Sequence, residues 1–111
     1  MQNNPLISLF GLARRCGKIA QGFDAAVGAV TKGKAKDFFL THDAAERTRR
    51  NVCRIAEECG ARVWTLSETM QQLGAGIGCA PTAVVAIQDA GFEKKARELC
   101  AKNGFCERND L

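Results

Sequence analysis

The string GAVTKGKAK, residues 28–36, places Gly28 five positions before Gly33-Lys34. That is the spacing of a phosphate-binding loop. In such a loop backbone N–H groups and a lysine surround a nucleotide's phosphates, and a following Ser or Thr hydroxyl holds Mg²⁺. Here the following residue is Ala35, which has no hydroxyl. A second glycine cluster, GAGIG at 74–78, looks like part of a dinucleotide-binding turn. Cysteines stand at 16, 53, 59, 79, 100 and 106, with no CxxC pair, and His42 is the only histidine. The paired short spacing of a structural zinc site is missing. No Ser-His-Asp or Cys-His set stands out, and Asp43, beside His42, is expected to cap the helix that follows it. The chain is therefore read as a non-enzyme with no cofactor and no metal, its six thiols reduced and mostly buried.

Whether either glycine string can meet phosphate depends on the elements around it. Apolar spacing predicts a helix over 5–15, a short strand at 18–22, and a helix over 23–32 with Ala26, Val27 and Val30 inward. DFFLT at 37–41 is a continuous apolar strand of the kind buried on both faces. A helix over 44–59 turns Ala45, Thr48, Val52, Ile55, Ala56 and Cys59 to one face, with Arg47, Arg50 and Arg54 on another. RVWTL at 62–66 is a strand, Ser67 is expected to cap the helix SETMQQL, AVVAIQ at 83–88 is a strand, and a helix spans about 91–102. Strand and helix alternate through one expected domain, residues 1–111, which implies an α/β fold with a largely parallel sheet covered on both faces. In this order the phosphate-loop reading fails. Gly33-Lys34 ends a helix and leads into a strand, whereas a phosphate loop follows a strand and opens a helix. Gly33 is read instead as a helix terminator and GAGIG as a connection with close backbone approach.

The 111-residue chain carries a net charge of +4, unevenly spread. Residues 1–50 hold nine Lys/Arg against four Asp/Glu, and residues 51–111 hold seven against eight. A basic first half favours contact with a polyanion. The first residues, MQNNPLISLFGL, lack the basic start of a signal peptide, and no run approaches the ~20 apolar residues of a membrane span. A cytoplasmic location without membrane contact is expected.

The strings LFGLARRCGKIAQG, KGKAKDFFLTHDAAERTRRNV, LGAGIG and AVVAIQDAGFEKK, in this order, resemble the ribosomal protein L-seven-Ae superfamily of kink-turn RNA binders, above all its bacterial YlxQ-like branch. The resemblance covers about residues 6–100. It implies a three-layer α/β/α sandwich on a mixed four-stranded sheet of order 1-4-2-3, strand 4 antiparallel. It also implies binding of structured or ribosomal RNA at the edge formed by the carboxyl ends of the parallel strands.

On that edge the resemblance places Gly22, Phe23 and Asp24, then Thr41, Asp43 and Arg47, then the loop Ile77, Gly78, Cys79, Ala80, Pro81 and Thr82. Well-studied kink-turn readers carry Asn-Glu and a later Lys where this chain has Asp24, Ala25 and Gly28. A carboxylate at 24 cannot donate to a base edge as an amide does. That departure motivates an alternative, a ribosome-associated assembly or protein-interaction factor that kept the fold and lost kink-turn reading. Arg14, Arg15, Lys18, Lys32, Lys34 and Lys36 are expected at the opposite edge, either as a solvated rim or as a second basic contact.

Overall fold

A computed structural model describes residues 5–103 and 106–108, with side chains described through residue 101. The elements run α1 (Pro5–Arg15), β1 (Ile19–Gln21), α2 (Phe23–Thr31), β2 (Asp37–Thr41), α3 (Glu46–Cys59), β3 (Arg62–Leu66), α4 (Met70–Ile77), β4 (Val84–Ile87), α5 (Ala90–Asn103) and β5 (Cys106–Arg108). The expected order 1-4-2-3 holds. β2 and β3 are parallel, and β4 lies antiparallel between β1 and β2. A fifth strand, β5, adds antiparallel to β3 at the far edge. The expected order, which ended with the helix over about 91–102, had no place for it. Residues 1–4, part of the segment read for a signal peptide, lie outside the described residues.

Alternate residues of the strands feed two separate cores, as the period of two requires. Ala20, Phe38, Leu40, Val63, Val84 and Ala86 pack under α2 and α3. Phe39, Trp64, Leu66, Val85 and Ile87 pack under α1, α4 and α5, where the Phe10 and Phe39 rings meet edge to face at 5.3 Å. All five residues of β2 are buried. Gly33 has φ 76°, and Gly33 N–H donates to Val30 O while Lys34 N–H donates to Ala29 O. These two bonds close α2 in a Schellman turn that needs a left-handed residue.

Three local expectations are corrected. Asp43 does not cap α3, which starts at Glu46 behind Ala45 with no side-chain cap. Its Oδ1 accepts instead from Met70 N–H at 2.9 Å, across to α4. Ser67 does not cap α4. Thr69 does, through a reciprocal box in which its Oγ1 accepts from Gln72 N–H and Gln72 Oε1 accepts from Thr69 N–H. GAGIG is not a connection, since α4 runs to Ile77 and only Gly78 lies past it.

The thiols are also not uniform. Cys53 is buried and its burial pushes the thiol pKa up, whereas Cys16 and Cys59 are exposed and Cys79 is half-buried. Cys100 is disulfide-bonded. This overturns the expectation of reduced thiols throughout. Apolar spacing cannot tell a buried cysteine from one at a helix end such as Cys59. The Cys106 side chain lies outside the described residues.

The least apolar feature of the interior is Asp37, fully buried at the start of β2. Its Oδ1 accepts from Arg62 Nε at 2.7 Å and from Trp64 Nε1 at 2.9 Å. Its Oδ2 accepts from Arg62 Nη2 at 3.2 Å and Arg97 Nη1 at 3.0 Å. Beside it, Glu93 Oε2 accepts from the backbone N–H groups of Lys36 and Asp37 at 2.7 and 2.9 Å. Burial by itself raises the Asp37 pKa. The hydrogen bonds from Arg62, Trp64 and Arg97, with the Arg62 charge, outweigh it and hold the carboxyl below its usual range. Burial and the adjacent Asp37 charge raise Glu93, against the two backbone bonds.

These two shifts have opposite consequences for stability. A depressed folded pKa contributes stability above the unfolded value, lost as pH falls through the folded one. The Asp37 contribution is therefore complete above pH ~4 and declines below it. A raised carboxyl pKa costs stability as pH rises above the unfolded value, so the Glu93 term worsens as pH rises from its ordinary 4.5 through the raised value. Asp37→Asn is expected to cost about 2–4 kcal/mol in urea unfolding at pH 7. Breaking a fully buried pair costs about 3–5, and here the two arginines remain partly exposed. Glu93→Gln is expected to remove the decline in stability above pH 4.5. A parent protein equally stable with and without the Asp37 carboxylate would contradict this account.

Candidate nucleic-acid interface

At the carboxyl ends of β1, β2 and β3 four chain segments are tied together by hydrogen bonds far apart in sequence. Gly22 N–H donates to Val84 O at 2.9 Å, and Thr41 N–H donates to Ala83 O at 2.8 Å. Thr82 N–H donates to Met70 O at 3.1 Å, and Met70 N–H donates to Asp43. The fold thus brings the three expected groups, 22–24, 41–47 and 77–82, to one edge.

Their side chains play different parts. Gly22 precedes α2 at φ 91° and ψ 162°, a conformation that L side chains rarely adopt, with open space where a Cβ would project. Backbone can therefore be approached closely from outside. Phe23 packs partly buried against the first core. Asp24 is exposed in the first turn of α2, where a negative charge suits the helix dipole. Arg47 is exposed in the first turn of α3 and makes no ion pair among the described residues. Thr41 is fully buried and its Oγ1 has no partner among the described residues, so its role at the edge is that of its backbone.

The loop after α4 separates in the same way. Ile77 is a core residue and Thr82 is buried, its Oγ1 donating to Ala80 O at 2.8 Å. Cys79 is half-buried, with Sγ 3.3 Å from Thr82 Oγ1. Gly78, Ala80 and Pro81 are exposed and form the apolar tip. Gly74 allows this tip to fold back, since a Cβ there would run into the Ala80 carbonyl. Gly76 likewise admits Ile7 of α1. Close approach is what the glycine cluster serves, within a helix.

Two basic residues have positions that spacing did not give. Arg14 leaves the amino-end group, because its Nε donates to Gln21 Oε1 at 3.0 Å, beside Gly22, and its Nη1 faces Gly78. Arg15, Lys18, Lys32, Lys34 and Lys36 are exposed. Arg49, absent from the expected site, donates through Nη1 to Thr65 Oγ1 at 3.1 Å and through Nη2 to Thr41 O at 3.4 Å. It stitches α3 to the ends of β2 and β3. Its partners lie 8 and 16 residues away, outside the reach of helix-face spacing.

The chain is 32% identical over 96 residues to the RNA-binding protein YlxQ of Enterococcus faecium, across 84% of this chain and 88% of that protein. Identity to the RNA-binding protein YlxQ of Bacillus subtilis (strain 168) is also 32%, over 93 residues, 82% of this chain and 90% of that one. The chain belongs to the YlxQ family. A solved structure from Bacillus halodurans C, of a protein with unknown function, superposes with TM-score 0.83 at 28% identity, covering 90% of this chain and all of that one. The Giardia lamblia 15.5kD RNA binding protein shares the fold, with TM-score 0.71 at 20% identity over 92% of this chain and 90% of that one. No protein-family profile matches. Among the described residues no helix is long and apolar enough to cross a membrane, and no group of three His, Cys, Asp or Glu is placed to hold a metal ion.

The Asp43 contact gives this YlxQ-family edge a direct check. Asp43→Ala is expected to cost about 0.5–1 kcal/mol, the lower range for losing a helix cap, since Thr69 still caps Gln72. Amide exchange at Met70 should speed up while exchange at Val52 in α3 stays as it was. Faster exchange confined to the start of α3 would restore the local cap.

Proposed function

We propose that this protein is a small RNA-binding domain that grips structured RNA at the carboxyl-end edge of its sheet. The observation that carries this reading is the convergence of an approachable Gly22 backbone, the exposed tip Gly78–Pro81 and the unpaired Arg47. Backbone N–H groups at helix starts and an arginine suit phosphate. An apolar tip suits the face of an unstacked base. The RNA-binding YlxQ relatives support the same class of partner. Ribosomal RNA and a kinked stem are the finer reading, on the strength of the family resemblance, in a cytoplasmic protein without catalytic activity.

Asp24 favours one second reading. Its exposed carboxylate stands where an amide reads base edges in well-studied kink-turn binders, and it repels phosphate. A ribosome-associated assembly factor that holds RNA weakly and a protein partner more firmly fits that change.

Crosslinking in cells, with both nucleotide and peptide mapped, tests the two. RNA attached to peptides containing 22–24, 47 or 78–81 supports the first reading. Protein partners recovered after nuclease treatment, with no RNA adduct on those peptides, support the second. With the recovered RNA, Arg47→Ala is expected to weaken binding and to lower the slope of log K against log salt by about 0.9, one phosphate contact. Asp24→Asn is expected to tighten binding by restoring a donor and removing a negative charge. If neither substitution changes affinity, the RNA lies elsewhere on the protein.

A further inference from the structure

At the opposite, amino-end edge the chain forms an open pocket of about 360 Å³ that the edge described above does not use. Lys34, Lys36, Arg62 and Arg97 line it, together with Glu93 and Ala90, the first residue of α5. Four cations therefore face one space against two carboxylates, Glu93 on its wall and Asp37 beneath it. Asp37 is fully buried behind the arginines and uses only some of their donors. Arg62 spends Nε and Nη2 on it, and Arg97 spends Nη1 on Asp37 and, at 3.8 Å, on Glu93. Arg62 Nη1 and Arg97 Nε and Nη2 donate to nothing among the described residues. The two side chains keep 36% and 29% exposure. Lys34 and Lys36 are exposed and make no ion pair among the described residues. Asp89 accepts from Phe92 N–H at the start of α5, whose first residue, Ala90, lines the pocket.

The buried carboxylate changes what these arginines are. A guanidinium on a surface stem is mobile, and ordering it to meet a ligand costs side-chain entropy. Here two guanidinium groups are already tied down by Asp37, keep unspent donors, and belong to residues that line the same space. Fixed forks with spare donors suit the oxygens of a phosphate group, and the lysines add charge without geometry.

We infer that this pocket is a phosphate-group site. The ligand is a phosphate monoester or diester, held by Arg62 and Arg97 donors and neutralised by Lys34 and Lys36. The group can belong to a small phosphorylated molecule or to an RNA backbone that reaches the amino-end edge. The site does not rest on the RNA reading of the other edge.

The test uses the full chain labelled with ¹⁵N and inorganic phosphate as the probe, with chloride exchanged to keep ionic strength fixed. Amides of Gly33, Lys34 and Ala90 and the Nε resonances of Arg62 and Arg97 are expected to shift saturably with phosphate and not with chloride. The Lys34→Ala, Lys36→Ala double variant leaves every Asp37 bond in place, so it should fold as the parent does. It is expected to weaken phosphate binding about tenfold. A stem-loop RNA then separates the sources. If it binds and the double variant lowers its salt slope by about 1.8, the group is an RNA phosphate. If the slope is unchanged while phosphate shifts are weakened, the ligand is a small phosphorylated molecule. Shifts that chloride reproduces, or phosphate binding unaltered in the double variant, overturn the site.

Discussion

A buried carboxylate must be matched in full or it opposes folding, and Asp37 is matched by three side chains from two other elements. The pairing register makes this possible. Asp37 lies opposite Arg62, and Phe39 lies opposite Trp64. A slip of one residue between β2 and β3 would take the arginine and the indole to the wrong face of the sheet. A one-residue slip would therefore leave the buried Asp37 carboxylate unmatched, at a cost of several kcal/mol, which works against the alternatives to this register. The network also locks α5, through Arg97, against the start of the sheet. Once the register is fixed at the amino end, β2 and β3 must finish together at Thr41 and Leu66.

That common finish is the base on which the carboxyl-end edge is built. Backbone groups at the ends of β1 and β2 bond to the start of β4, and the loop before β4 bonds back to the start of α4. Most of these ties are backbone to backbone, with the Arg49 and Asp43 side chains adding to them. Small residues let backbone come near backbone, with Gly11 of α1 close to the Gly76 carbonyl and Gly74 under Ala80. An edge made mainly of backbone can meet a polyanion without ordering long side chains. Arg47 and Arg14 then supply charge from two sides of it.

The two ends of the sheet differ in how they hold their positive charge. At the carboxyl end Arg49 spends its guanidinium on Thr65 and Thr41, so it serves as scaffold. At the amino end Arg62 and Arg97 are half-spent on Asp37, with donors left over. A net-charge count cannot distinguish these states, since each arginine counts as one.

The sequence by itself determined the order of elements from α1 to α5, the burial of β2 on both faces and the end of α2. Those features rest on period and on local sterics, as with DFFLT, whose run of apolar residues is buried throughout, and Gly33, whose left-handed turn only a short segment must satisfy. The order 1-4-2-3 followed from family likeness carried by strings such as AVVAIQDAGFEKK, and not from periodicity. Asp43, Ser67 and Arg14 show where local reading stopped. Asp43 and Ser67 were each assigned to the helix next in sequence, and Arg14 to the opposite edge; Asp43 and Arg14 bond elsewhere, while Thr69 takes the cap that Ser67 was given. The bare Asp at the head of DFFLT gave no sign of its three partners, which lie 25, 27 and 60 residues away. Only the tertiary structure decided which charges are scaffold and which are free. A hydrogen bond between distant residues exists only after the sheet register has placed them, and no spacing within one segment encodes it.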